Sequence, residues 1–155
     1  MAFDAILDLI NKGENIHLHF FGDGPMRSEL EERAESSSVS NNFIFHGEVD
    51  DPYSKIKGID FVLITSLFES FGYVALEAML LRVPLISSCI GGLPEVISNE
   101  TAIIFDPTID GDIKEKILYA VSLENLELEK MTEKAHKDVI SRLSLGRMTG
   151  FLEKC

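Results

Sequence analysis

The sequence predicts an α/β domain built on a doubly wound parallel sheet. Three observations lead there. Short apolar runs alternate with segments of helical spacing along most of the chain. One run, DFVLITS at 60–66, is almost continuously apolar, as strands covered on both faces are. Glycines gather just after the apolar runs, where strand-to-helix turns fall.

The elements follow in order. FDAILDLINK (3–12) sets Phe3, Ile6, Leu7 and Ile10 at helical spacing. IHLHFFG (16–22) alternates and turns at Gly22, as a strand does. PMRSELEERAESS (25–37) places Pro25 at a helix start and glutamates in its first turns. NFIFHG (42–47) reads as a strand and DPYSKIKG (51–58) as a short helix stopped by Gly58. After the strand at 60–66 come a helix at about 73–82, a strand at 83–89, a short helix at 93–98 and a last strand at 102–107. From Asp110 to about Arg142 the pattern is helical, with a break near Glu124. The polar stretch ESSSVSNN (35–42) is a loop. In such sheets ligands bind beyond the carboxyl ends of the strands, here 22–25, 46–49, 66–72 and 88–94.

The 155 residues suit a single domain, 1–155, with C-terminal helices over about 110–150. A net charge of −12 argues against a nucleic-acid partner, which needs a basic face. Residues 71–93 are the most apolar stretch, but Glu77, Arg82 and Pro84 interrupt them, so no membrane span is expected. The two cysteines, Cys89 and Cys155, form no metal cluster or disulfide framework, and a reducing, cytoplasmic setting is the default. Cys89 reads as a small apolar filler near a strand end.

Residues 66–77 carry the most chemical information. A strand ends at Thr65-Ser66, a loop holds Glu69, Ser70, Phe71 and Gly72, and a helix begins. Gly72 permits close approach to the backbone, and helix-start amides favour an anion such as phosphate. Glu77 sits among apolar positions, with Val74, Ala78 and Leu81 on its own face and Leu76, Met79 and Leu80 opposite. A half-buried carboxylate needs partners. Either a lysine pairs with it, or it accepts hydrogen bonds from ligand hydroxyls. Two carboxylates beside a phosphate site suit hydroxyls better than phosphate, and a nucleotide sugar has both.

The stretch SLFESFGYVALEAMLLRVPLISSCIGGLPEVI resembles the signature of glycosyltransferase family 4, of GT-B architecture. Glu69 and Glu77 are separated by seven residues with Phe71-Gly72 between them, and Gly91-Gly92-Leu93-Pro94-Glu95 follows downstream. The family's Gly-x-Pro triplet stands here as Arg82-Val83-Pro84, without its glycine. FFGDGP (20–25) and FHGEV (45–49) resemble two further family loops, so the likeness covers about residues 3–107.

The resemblance implies the Rossmann-like C-terminal half of a GT-B fold, lacking its first strand. It implies a retaining enzyme and a nucleotide-diphosphate sugar donor. Glu77 would hold ribose hydroxyls. Glu69, the catalytic candidate, would hold hydroxyls of the transferred sugar. Ser70, Phe71 and Gly72 would offer backbone amides to sugar and diphosphate, and Val49 would contact the base. Gly22 and Gly24 would line the donor cleft, or serve only a tight turn. His46 ends a strand at that cleft, as a ligand contact or a loop residue. Gly91 and Gly92 are either site residues or a plain turn. The family's phosphate-binding Arg and Lys, and its N-terminal acceptor domain, would precede residue 1. The chain is thus expected to transfer no sugar alone, and any peripheral membrane association, at an inner membrane face, would run through that other domain.

Competing features have ordinary explanations. DGD (110–112) is expected to cap the following helix, and no metal or other cofactor is expected. His17 and His19 share a strand face without a carboxylate or Cys. Arg27 is expected to be solvated. A non-catalytic nucleotide- or partner-binding module with an incomplete site is the alternative. A phosphorylatable signalling domain would need strand-end aspartates that are absent from the pattern.

Overall fold

The computed structural model describes residues 1–144; Cys155 and the last predicted helical residues lie outside this range. Eleven elements follow the predicted order: α1 (Ala2–Asn11), β1 (Leu18–Phe21), α2 (Arg27–Glu35), β2 (Phe43–Gly47), α3 (Pro52–Ile56), β3 (Val62–Ile64), α4 (Tyr73–Leu80), β4 (Leu85–Ser87), β5 (Ile103–Ile104), α5 (Asp112–Ser122) and α6 (Asn125–Ser144). All strand pairs are parallel, in a two-stranded sheet β1-β2 and a three-stranded sheet β3-β4-β5. The chain forms two compact units, Met1–Pro52 and Tyr53–Cys155.

In the first unit, α1 buries Phe3, Ala5, Ile6 and Leu9. Leu7, expected in that stripe, is only half-buried, because the stripe is centred one position over, on Leu9. Phe3 stacks on Phe43 of β2 with ring centroids 4.5 Å apart, and Phe20 stacks on Phe45 across the two strands at 4.6 Å. Helix α2 has little apolar face and buries only Ala34. Charged contacts hold it: Arg33 pairs with Asp4 of α1 and lies over the Phe3 ring. Pro25 stands in the turn before α2 rather than in its first turn.

In the second unit, α4 packs Ala75, Leu76, Ala78 and Met79 against β3, β4 and α6, where Ala135 and Val139 complete the contact. Every one of those four α4 side chains is at most 1% exposed, so this helix is the unit's centre. Val62 and Ile64 of β3 are buried and Leu63 half-buried, close to the two-sided burial expected of that run. The expected helix at 93–98 is only a 3-10 turn, Leu93–Glu95. The break between α5 and α6 falls at Leu123 and Glu124, as expected.

Two further local features bear on the helix ends. Asp112 does not cap α5: Gly111 (φ +84°) is the N-cap, and the Asp112 carboxylate turns back to accept the Asp106 N–H at 2.7 Å. Arg82 occupies the left-handed position that ends α4, with φ +56°. Its N–H donates to the Met79 carbonyl and that of Val83 to the Ala78 carbonyl, the bonding of a Schellman motif. Glycine is the usual residue there, which explains what the missing glycine of the triplet would have done. The Arg82 side chain instead pairs with Glu133 of α6 at 3.2 Å, on the surface. Left-handed backbone costs a side-chain-bearing residue about 1 kcal/mol or more, while exposed ion pairs contribute little. Arg82→Gly is therefore expected to raise the unfolding midpoint in a denaturant titration; a lowered midpoint would mean that the Glu133 pair matters more than the backbone.

Candidate functional site

The loop leaving β3 is fixed from below by the loop leaving β4. The Ser88 N–H donates to the Ile64 carbonyl at 3.1 Å and its hydroxyl to the Ser66 carbonyl at 2.8 Å. The Gly92 N–H then donates to the Glu69 carbonyl at 2.7 Å. A Cβ on Gly91 would stand 2.3 Å from the Glu69 carbonyl oxygen, and one on Gly92 would stand 2.4 Å from that of Ser70. Gly91 also has φ +66°. Both glycines thus do more than turn the chain: they let 91–92 lie directly under 69–71. Cys89, just before them, is half-buried with φ +43°, and burial pushes its thiol pKa up.

Above this seat, Glu69 bends back over the start of α4. Its Oε1 accepts the Gly72 N–H at 3.2 Å. Gly72 is the helix N-cap with φ +78°, and a Cβ there would reach 2.9 Å from Leu93 Cδ2, in the fully buried core. The first helical bond runs from the Leu76 N–H to the Gly72 carbonyl, so the Val74 and Ala75 amides have no acceptor within the helix. These amides and the helix dipole supply positive potential at one point, with Glu69 beside it.

Glu77 lies on the second turn of α4, half-buried, on the face of the exposed Tyr73 and Val74. Among the ion pairs and side-chain hydrogen bonds of the described residues, none involves its carboxylate, so the lysine pairing weighed from the sequence does not form there. Burial alone raises its pKa. The sign matters for stability. A carboxyl held above its unfolded value favours folding while protonated, and that stability is lost as pH rises through the folded value. Glu77→Gln is thus expected to raise the melting temperature of the free chain at neutral pH and to flatten its fall as pH rises above the ordinary carboxylate range. A melting curve as pH-dependent as that of the parent chain would show that Glu77 is not desolvated.

The other expected residues lie in the first unit. Gly22 (φ +108°) donates its N–H to the Gly47 carbonyl at 2.7 Å in an isolated bridge, which is a turn requirement. Gly24 is exposed, with nothing within 4 Å of a Cβ built on it. Its carbonyl accepts the Arg27 N–H at 3.0 Å. Arg27 is not simply solvated. It bonds Glu31 at 2.8 Å and Asp23 at 3.4 Å, and its Nη1 fills the space a Gly47 side chain would need. His46 Nε2 lies 2.9 Å from His19 Nδ1, and its ring stacks on Phe21 at 4.6 Å. Burial first, then the neighbouring His46 and His17, hold the His19 imidazole below its ordinary pKa. Val49 is half-buried in the loop after β2. Glu69, Ser70, Phe71, Gly72 and Glu77 thus share one loop–helix junction, while Gly22, Gly24, His46 and Val49 cluster at the ends of β1 and β2.

The seat formed by Ser88, Gly91 and Gly92 is the part that sequence reasoning left open. The paired glycines after a strand were its signal, but their contact lies more than 20 positions away. Elsewhere in the second unit, a cavity of about 480 Å³ opens between β5, α5 and α6, lined by Ile104, Tyr119, Lys130 and Met131. None of the site residues lines it.

A sequence model of glycosyl transferases group 1 matches residues 2–138. A glycosyltransferase of Methanocaldococcus jannaschii is 41% identical over 88 residues, covering 56% of this chain and 23% of its own. The C-terminal domain of a group 1 glycosyltransferase, LpcC of Francisella tularensis, superposes with TM-score 0.78 at 22% identity, over 92% of this chain and 77% of that one. HepE of Anabaena, solved with UDP, superposes with TM-score 0.80 at 18% identity, over 98% of this chain and 45% of its own. The chain spans about a quarter of the length of the curated relatives it matches.

Proposed function

The chain belongs to the group 1 glycosyltransferases, and on that premise we propose that it is the donor-binding domain of a retaining enzyme. The donor is a nucleotide-diphosphate sugar and the acceptor a hydroxyl of a glycan or lipid-linked molecule. The observation that carries the reading is the junction itself: two carboxylates around a left-handed glycine at a helix start, seated on Gly91 and Gly92. Among the described residues the half-buried Glu77 carboxylate has no partner, and ribose hydroxyls would supply the donors it lacks. Glu69 orients the hydroxyls of the sugar, and the backbone amides of Ser70 and Phe71 together with the first turn of α4 stabilise the leaving diphosphate, joined by the Gly72 N–H once Glu69 turns from it to the sugar. HepE, a neighbour in fold, holds UDP in its structure, which supports a nucleotide donor here.

In this account the acceptor oxygen bonds the anomeric carbon as the bond to the diphosphate oxygen breaks. The base that takes the hydroxyl proton belongs to an N-terminal acceptor domain. That domain would also carry any attachment to the inner face of a membrane, in the cytoplasm; no helix among the described residues is long and apolar enough to cross one. No metal is required. The chain by itself is expected to bind donor and transfer nothing.

One observation favours a second reading, a nucleotide- or partner-binding module without catalysis. No Lys or Arg stands between Lys57 and Arg82, so diphosphate charge would meet amides alone in that segment. Calorimetric titration with UDP-glucose and with GDP-mannose separates the two. Saturable heat with either supports the donor site, and no heat at millimolar ligand supports the module.

A further inference from the structure

We propose that the cavity between β5, α5 and α6 is a further binding site, and that its ligand is a small organic anion with an apolar body. No residue of the α4 junction lines it, so it is separate from the proposed donor site. Its volume is about 480 Å³. Small-molecule pockets span about 300–1,000 Å³. Ile104, Leu123 and Met131 are half-buried and give the cavity an apolar wall. Strand β5 is the last of its sheet. The Phe105 N–H donates to the Ser87 carbonyl at 3.0 Å, and successive residues of a strand turn their N–H and C=O to opposite sides. The N–H and carbonyl of Ile104 therefore point away from β4, on the open edge of the sheet, beside the cavity that Ile104 lines.

The charges decide the sign of the ligand. Three lysines and two glutamates line the cavity, and the chain itself already engages both carboxylates. Glu100 pairs with Lys134 at 3.2 Å, and Glu127 accepts the Glu124 N–H at 3.2 Å. The cations are less occupied. Lys116 stands 4.0 Å from Asp112, at the limit of an ion pair, and Lys130 enters no ion pair among the described residues. An anionic group can bond Lys130 and Lys116, while an apolar body leaves water against Leu123 and Met131. A cationic group would have to break the bonds that Glu100 and Glu127 already make. The chain's net charge of −12 does not forbid an anion here. Exposed charges beyond about 8 Å are largely screened at physiological salt, so the lysines at the cavity dominate.

Phenylbutyrate, phenylbutanol and phenylbutylamine carry one apolar body with a negative, a neutral and a positive end. Each is titrated into the isotope-labelled chain, with the backbone amides followed by NMR. Phenylbutyrate is expected to shift Ile103, Ile104, Leu123 and Met131 saturably, and to bind about tenfold tighter than the amine or more. Acetate, which lacks the apolar body, is expected to shift none of them. Lys130→Glu is expected to weaken phenylbutyrate by about tenfold. Its melting temperature should match that of the parent chain, since Lys130 is exposed and outside the ion pairs of the described residues. Three results would overturn the proposal: an amine that binds as tightly as the butyrate, a Lys130→Glu chain that binds like the parent, or amides that stay in place at millimolar phenylbutyrate. Displacement of phenylbutyrate by UDP-glucose would overturn it too, because the two ligands would then share one site. Donor binding is read at the amides of residues 66–77, so failure of the donor site and failure of this cavity give different results.

Discussion

Gly92→Ala is expected to destabilise the chain and to abolish donor binding together. The added methyl would stand 2.4 Å from the Ser70 carbonyl oxygen, 2.9 Å from the Ser70 carbonyl carbon and 3.2 Å from Phe71 Cα. All three are backbone atoms, so no side chain can swing aside. The Glu69–Phe71 segment must lift, and the bond from the Gly92 N–H to the Glu69 carbonyl goes with it. Overpacking of this kind costs about 1–3 kcal/mol, read as a melting temperature lower by several degrees. Gly24→Ala is the control. Nothing lies within 4 Å of its added methyl and its φ is not in the left-handed range, so stability is expected to stay the same. Equal melting temperatures for Gly92→Ala and Gly24→Ala would show that the seat is softer than its contacts indicate.

Glu77→Ala is expected to act in the opposite direction on stability. It removes a desolvated carboxylate from the free chain, so the fold is no weaker at neutral pH. Donor affinity should nevertheless fall by about 10- to 100-fold, the scale of hydrogen bonds to a charged group. Calorimetry and thermal melting on one preparation test both halves. A variant that loses affinity only because it unfolds would contradict this assignment, and so would one that binds like the parent. The two substitutions thus separate a residue proposed to meet ligand from one that supports the loop.

How much of this was legible in the sequence depends on the range of each contact. Helix α4 and its half-buried Glu77 could be read directly, because a carboxylate at an apolar position breaks a local pattern. The parallel α/β class was legible for the same reason, through the alternation of runs. The tight packing of Gly91 and Gly92 beneath Glu69 and Ser70 was not, because it joins backbone segments about 20 residues apart and leaves no side-chain pattern. Arg27 looked like an exposed helix-start residue, yet it fills the space left by Gly47, 20 positions away. Asp112 looked like a helix cap and instead bonds Asp106, since both uses of an aspartate share one local sequence. The left-handed turn at Arg82 was marked only by a glycine that is not there.

The proposed donor site lies at the start of α4, with carboxylates for hydroxyls and amides for phosphate. The most direct measurement is a titration of the isotope-labelled chain with UDP-glucose and GDP-mannose, following the backbone amides of residues 66–77 by NMR. Saturable shifts at Ser70, Phe71, Gly72 and the first turn of α4, lost in Glu77→Ala, are the predicted result. Amides that stay in place at millimolar nucleotide sugar, while the chain is folded, would contradict it.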